Sequence, residues 1–204
     1  MTWEILNIIG TIAFAISGAI VAMEENYDIL GIYFLGFTTA FGGGTIRNIL
    51  IGLPIEQIWL QERLFIICFV AMTIILILPN MWIDYWNKWG IFFDAIGLAA
   101  FAIQGALFAL QANASISAVL VAATLTGAGG GVLRDILAGR KPMIFQNEIY
   151  AIWATLAGLL VGLGYITGPV STISLLIIII ILRMCSVYFK WTLPRIPYPE
   201  NTPK

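Results

Sequence analysis

Apolar runs close to twenty residues long, separated by short polar clusters, dominate this chain. A bilayer core about 30 Å thick takes roughly 20 residues of helix to cross. The pattern predicts seven membrane spans, at about residues 5–23, 29–51, 64–83, 91–110, 115–137, 149–166 and 170–188. Glu24-Glu25-Asn26 ends the first, Leu53-Pro54 stops the second, and Arg63 and Asp84 bound the third. Two boundaries carry no charge. Residues 95–133 run 39 positions without one, too long for a single span, and Gln111-Ala-Asn113-Ala-Ser115 is the polar place to turn. Residues 149–182 run 34 positions, and Gly168-Pro169 divides them.

The pattern also repeats. Shifted by 87 residues, Gly10, Ala13-Phe14-Ala15-Ile16 and Gly18-Ala19 fall on Gly97, Ala100-Phe101-Ala102-Ile103 and Gly105-Ala106. Thr39 falls on Thr126, Gly42-Gly43-Gly44 on Gly129-Gly130-Gly131, and Arg47 on Arg134. Over residues 10–52, 18 of 43 positions are identical without a gap. Apolar composition alone would not bring two triple glycines and two arginines into register. Each unit holds three spans (residues 5–83 and 91–167), and an odd number reverses the direction of the second. The expected architecture is an all-α membrane protein of two inverted three-helix repeats, with an unmatched seventh helix at 170–189 and a short polar tail at 191–204. Inverted repeats belong to transporters and channels, with the pathway at the repeat interface.

Composition agrees with a lipid-facing surface. Of 204 residues, 60% are hydrophobic and 10% charged, against roughly 25% charged in soluble domains; mean hydropathy is +0.96. The net charge of -1 gives no basic surface for nucleic acid. With no histidine and two cysteines, both inside apolar runs, neither a metal site nor a disulfide framework is expected, and no cofactor. The start, Met1-Thr-Trp-Glu4, lacks a basic region, so the first apolar run reads as a span and not a cleaved leader. Basic residues set the orientation. With the N-terminus outside, eight of ten (Lys88, Arg134, Arg140, Lys141, Arg183, Lys190, Arg195, Lys204) lie inside and only Arg47 and Arg63 lie outside.

The candidate chemistry sits in the matched motifs, Gly42-Gly43-Gly44-Thr-Ile-Arg47-Asn48 and Gly129-Gly130-Gly131-Val-Leu-Arg134-Asp135. Glycine costs about 1 kcal/mol relative to alanine in a helix, so three together are expected to kink or interrupt the second and fifth helices. Freed carbonyls would then line a pathway. Close helix packing is the other reading. Arg47 and Arg134, inside or at the ends of spans, are pathway residues or arginines snorkelling to headgroups. Arg134 has Asp135 as a possible partner, where Arg47 has Asn48. Asp94 matches Asn7, so both acids fall in the second unit. Thr39, Thr126, Ser17 and Gln104 are milder candidates, the threonine hydroxyls being equally able to bond back to their own helices. The tryptophans (Trp59, Trp82, Trp86, Trp89 and Trp191 among them) fall at predicted span ends, as an interface belt.

The doubled glycine motif, the three-plus-three-plus-one span count and the short length resemble the trimeric intracellular cation (TRIC) channel family, in its bacterial branch, also catalogued as a glycine transporter family. The resemblance covers about residues 5–190. It implies a homotrimer in membrane lipid, a pore in each subunit lined by the second and fifth helices, and conduction of monovalent cations, chiefly potassium. The long basic tail of the animal members is missing, which implies a bacterial plasma (inner) membrane. One tension stands: arginines beside a pore repel cations and must be paired, off-axis or gating. The alternative function is a carrier for a small zwitterion such as glycine. An enzyme is not expected, since no nucleophile and base are matched.

Overall fold

The computed structural model describes residues 2–52, 54–77, 86–145 and 149–194. The end of the expected third span (78–83), Trp82 and most of the polar tail (195–204) lie outside them. The described residues form seven α-helices: α1 (Thr2–Glu24), α2 (Ile29–Leu50), α3 (Glu62–Ile77), α4 (Trp86–Gln111), α5 (Ile116–Leu137), α6 (Ala151–Gly162) and α7 (Pro169–Tyr188), with short 3-10 turns at Ile55–Ile58 and Met143–Phe145. Five of them, α1, α2, α4, α5 and α7, are long and apolar enough to cross a membrane.

Local chemistry sets the boundaries, and it is the same in both halves. Asp28 caps α2 by accepting from Gly31 N at 2.7 Å, and Ser115 caps α5 by accepting from Ala118 N at 3.5 Å. Asn26 and Asn113 take left-handed backbone (φ 59° and 53°) just past α1 and α4. The next amides close the helix ends, Tyr27 N on Ala22 O at 2.9 Å and Ala114 N on Ala109 O at 3.0 Å. Gly52 and Gly139, both at φ 70°, stand at the corresponding place after α2 and α5. Each of these pairs is separated by 87 residues.

The contacts show that the two halves run in opposite directions. Trp3 packs on Phe108, Gly10 on Phe101, and Gly97 on Phe14, so rising positions in α1 meet falling positions in α4. Likewise Gly43 of α2 faces the Thr126 carbonyl of α5, and Gly130 of α5 faces the Thr39 carbonyl of α2. Helices α1 and α4 form the buried centre, α2 and α5 pack across it, and α3 and α6 flank their own halves. The unmatched α7 lies against α4 and α6. Tyr27 Oη donates to Leu137 O at 2.9 Å, and Arg140 bridges Glu24 (2.7 Å) and Glu25. These contacts tie the end of α1, the start of α2 and the end of α5 at one end of the bundle, opposite Trp3.

Two expectations change. The triple glycines interrupt neither α2 nor α5, which are α-helical throughout. The reason is packing: with no side chains at Gly43 and Gly130, the two helices close on each other's backbone. A Cβ on Gly43 would stand 2.5 Å from Thr126 O. Helix α6 is also shorter than the expected 149–166. Gly164 (φ 79°) ends it, with Tyr165 N bonded to Leu160 O at 3.2 Å.

Candidate functional site

The repeat interface holds two unequal places, a cavity in the first half and an ion cluster in the second. The cavity, about 220 Å3, lies between α1, α2, α4 and α5. It extends from Trp3, Ile58 and Gln61 at one end of the bundle to Phe101 and Thr126 near the centre. Its polar wall comprises Asn7, Thr11, Gln61, Gln104, Thr126, Asn48 and Arg47.

Arg47 is 6% exposed. Its Nε and Nη2 both donate to Asn48 Oδ1 at 3.1 and 2.9 Å, and its guanidinium carbon lies 4.1 Å from the Phe108 ring centroid. Asn48 is itself anchored by donating to Pro54 O at 3.3 Å, and Asn7 donates to Gln61 Oε1 at 3.3 Å.

At the equivalent place in the second half the space is filled with charge. Arg134 is 0% exposed. Its Nη1 donates to Asp94 Oδ1 at 2.6 Å and to Ser17 Oγ at 2.7 Å, while Nε donates to Asp135 Oδ1 at 2.8 Å. Asp135 also accepts from Met143 N at 3.0 Å, which holds the chain leaving α5. Tyr150 borders the cluster: a Cβ on Gly131 would meet its hydroxyl at 2.8 Å and Asp94 Oδ1 at 3.3 Å. Behind the ring, Arg183 of α7 stacks at 4.9 Å and donates to Met143 Sδ at 3.6 Å. Burying a charge costs several kcal/mol unless it is paired and hydrogen-bonded, and Arg134 is both.

The thirteen candidates therefore fall into separate places. Arg47, Asn48, Gly44 and Thr126 line the cavity. Arg134, Asp135, Asp94 and Gly131 make the cluster or touch it. Gly43, Gly129 and Gly130 sit in the α2–α5 contact, and Gly42 meets Leu133 of α5. Thr39 and Thr126 bond back to Leu35 O and Ala122 O, each at 2.6 Å, while their hydroxyls also pack on Gly18 and Gly105. Tyr150, Arg183, Trp3 and Phe108 were not among the expected site residues. For Arg183 a signal was there to read: it is the sole charge in the apolar run 170–188.

A buried two-fold helical duplication, with charge and an internal polar cavity at its interface, defines a polytopic membrane protein of the inverted-repeat class. A model of the family described as Glycine transporter matches residues 4–80 and 91–165, once per half. The chain is 56% identical over 194 residues to the UPF0126 membrane protein YvgT of Bacillus subtilis, covering 95% of this chain and 96% of that one. To the UPF0126 inner membrane protein YadS of Escherichia coli it is 32% identical over 201 residues, covering 96% and 97%. Among solved structures, a TRIC cation channel matches with a TM-score of 0.82 at 35% identity, covering 97% of this chain and 98% of that one. The chain belongs to this family, and its resemblance to the TRIC channels extends through the whole fold.

Proposed function

We propose that this protein is a cation channel of the bacterial inner membrane, permeable to potassium and other monovalent cations. It works as a homotrimer with a pathway inside each subunit, the N-terminus outside and the C-terminus in the cytoplasm. The observation that carries this reading is the polar cavity between α1, α2, α4 and α5 in a chain that matches a TRIC cation channel over almost its full length. From the cavity floor at Phe101 the path continues past Phe14 to Ser17, Thr39 and the Arg134 cluster. There Asp94 and Asp135 outnumber the one arginine between them, which favours cations. On this reading the close packing of Phe14 against Phe101 and Gly97 shuts the path between its two ends. The test is the reversal potential of the purified protein in a planar bilayer under asymmetric KCl. Discrete current steps reversing near the potassium equilibrium potential support the channel; silence in every salt rejects it.

One observation favours a carrier for a small zwitterion such as glycine. The cavity reaches one end of the bundle while a packed ion cluster occupies the other, as in an alternating-access protein. Saturable counterflow of labelled glycine into liposomes, without ohmic current, would select this reading.

A further inference from the structure

We propose that the Arg47 cavity is a binding site for a small carboxylate. Arg47 lies on the wall of a cavity of about 220 Å3 and is itself 6% exposed. Among the described residues, that wall holds no aspartate or glutamate, and Arg47 makes no ion pair. Its counterpart Arg134 has two carboxylates. Of two symmetry-related buried guanidiniums, one is neutralised by the protein and the other has a single amide oxygen. Burial of a charge without compensation is unfavourable, and the empty space beside Arg47 is where compensation can enter.

The guanidinium is oriented for such a ligand. Asn48 Oδ1 takes Nε and one N–H of Nη2, and the Phe108 ring fixes the plane. The end-on edge, Nη1 and the second N–H of Nη2, is left for two parallel N–H···O bonds, the geometry that a carboxylate accepts and a spherical halide does not. Gly44 keeps this edge open, since a Cβ there would have only Arg47 Nη2 near it, at 3.7 Å. Asn7 and Gln104 add amide groups on the same wall, and Trp3 and Phe101 offer apolar surface to a short carbon chain. The site goes beyond the channel reading and does not depend on it. Within a channel, a bound carboxylate would neutralise the positive charge in the pathway. Within a carrier, it would be the substrate's acid group.

The experiment measures binding of labelled acetate to the full-length protein in detergent at constant ionic strength, with glycine and sodium chloride as competitors. Saturable acetate binding is expected, weakened at least tenfold in Arg47→Gln and in Gly44→Leu, whose side chain fills the space beside the guanidinium. Having two variants keeps the test decisive if either fails to fold, as judged by size-exclusion profile. Competition by glycine extends the site to amino acids, and its absence restricts it to simple monocarboxylates; both keep the class. Equal competition by chloride, unchanged binding in both variants, or no saturable binding at all overturns the proposal. If acetate fails to bind while potassium current persists, this site alone is lost and the channel stands.

Discussion

Phe14 and Phe101 meet edge to face, ring centroids 5.3 Å apart and planes at 65°, at equivalent positions of the two halves. Each ring also lies over a glycine of the opposite helix, Phe101 over Gly10 and Phe14 over Gly97. The centre of the molecule is therefore one self-complementary contact made twice. A Cβ at Gly97 would overlap the Phe14 ring, so Gly97→Ala forces that ring off its rotamer. Overpacking of this kind costs about 1–3 kcal/mol. Thermal unfolding in detergent should show a lower midpoint for Gly97→Ala, and Phe14→Leu in the same chain should recover part of the loss by making room.

The glycine triplets divide in the same way. A Cβ at Gly43 meets the Thr126 carbonyl, and one at Gly130 meets the Thr39 carbonyl, both backbone groups that cannot swing aside. Gly43→Ala and Gly130→Ala should separate α2 from α5 and lower the unfolding midpoint sharply. Gly44→Ala faces open space and should be neutral, or stabilising by up to about 1 kcal/mol through helix propensity. Equal effects at all three positions of the first triplet would show that intrinsic helix breaking, and not packing, governs them.

That contrast also shows where sequence reading ends. The 87-residue register was legible because it is carried by residues with unusual demands, two glycine triplets and two arginines; Asn26 and Asn113, both in left-handed backbone, extend the same register in the structure. The turns after α1 and α4 were legible as polar clusters at 24–26 and 111–115, while the caps that Asp28 and Ser115 supply to α2 and α5 emerge only in the structure. The continuity of α2 and α5 was not legible. Propensity prices glycine for an isolated helix, while here a second helix lies against the bare backbone. Nor could the sequence show that Asn7 opens a cavity where Asp94 closes one; the difference depends on how Arg134 reaches across from α5 to α4 and α1. Tyr150 went unnoticed because a lone tyrosine at a span end reads as an interface residue.

Arg134 is matched by two buried carboxylates, so Arg134→Gln leaves both without a cation. Breaking a buried pair by removing one partner costs about 3–5 kcal/mol. A large drop in the unfolding midpoint is expected. Adding Asp94→Asn should restore a part of it, because the second change removes one of the stranded charges. A double variant no more stable than Arg134→Gln alone would mean that Asp94 is compensated from elsewhere.

Arg140 is a different kind of arginine. It bridges Glu24 and Glu25 at the end of the bundle, with its side chain about a third exposed. Burial draws its pKa down, but the two glutamates more than offset this and hold it above its ordinary value. Exposed pairs contribute about 0–1 kcal/mol and weaken with salt. Arg140→Ala should therefore shift the unfolding midpoint only slightly at low ionic strength and not measurably in 1 M salt. A shift as large as that of Arg134→Gln would give this bridge a structural role that its exposure does not suggest.

Arg47 separates stability from conduction. No carboxylate loses its partner when it is replaced, so Arg47→Gln should leave the unfolding midpoint close to that of the parent chain. Its effect should fall on the current. At about 8 Å and an effective dielectric of about 20, a unit charge opposes a passing cation by about 2 kcal/mol. Asn48 and Phe108 hold that charge at the cavity wall, and water entering a polar cavity would screen it further, so the realised penalty is smaller. In KCl without added carboxylate, unitary potassium conductance of Arg47→Gln should rise several-fold over the parent chain, and Arg47→Lys should leave it nearly unchanged. Unaltered conductance in both would place the pathway away from this cavity. A fall in Arg47→Gln alone would mean that conduction depends on the positive charge at this position, as expected if it attracts the permeating species.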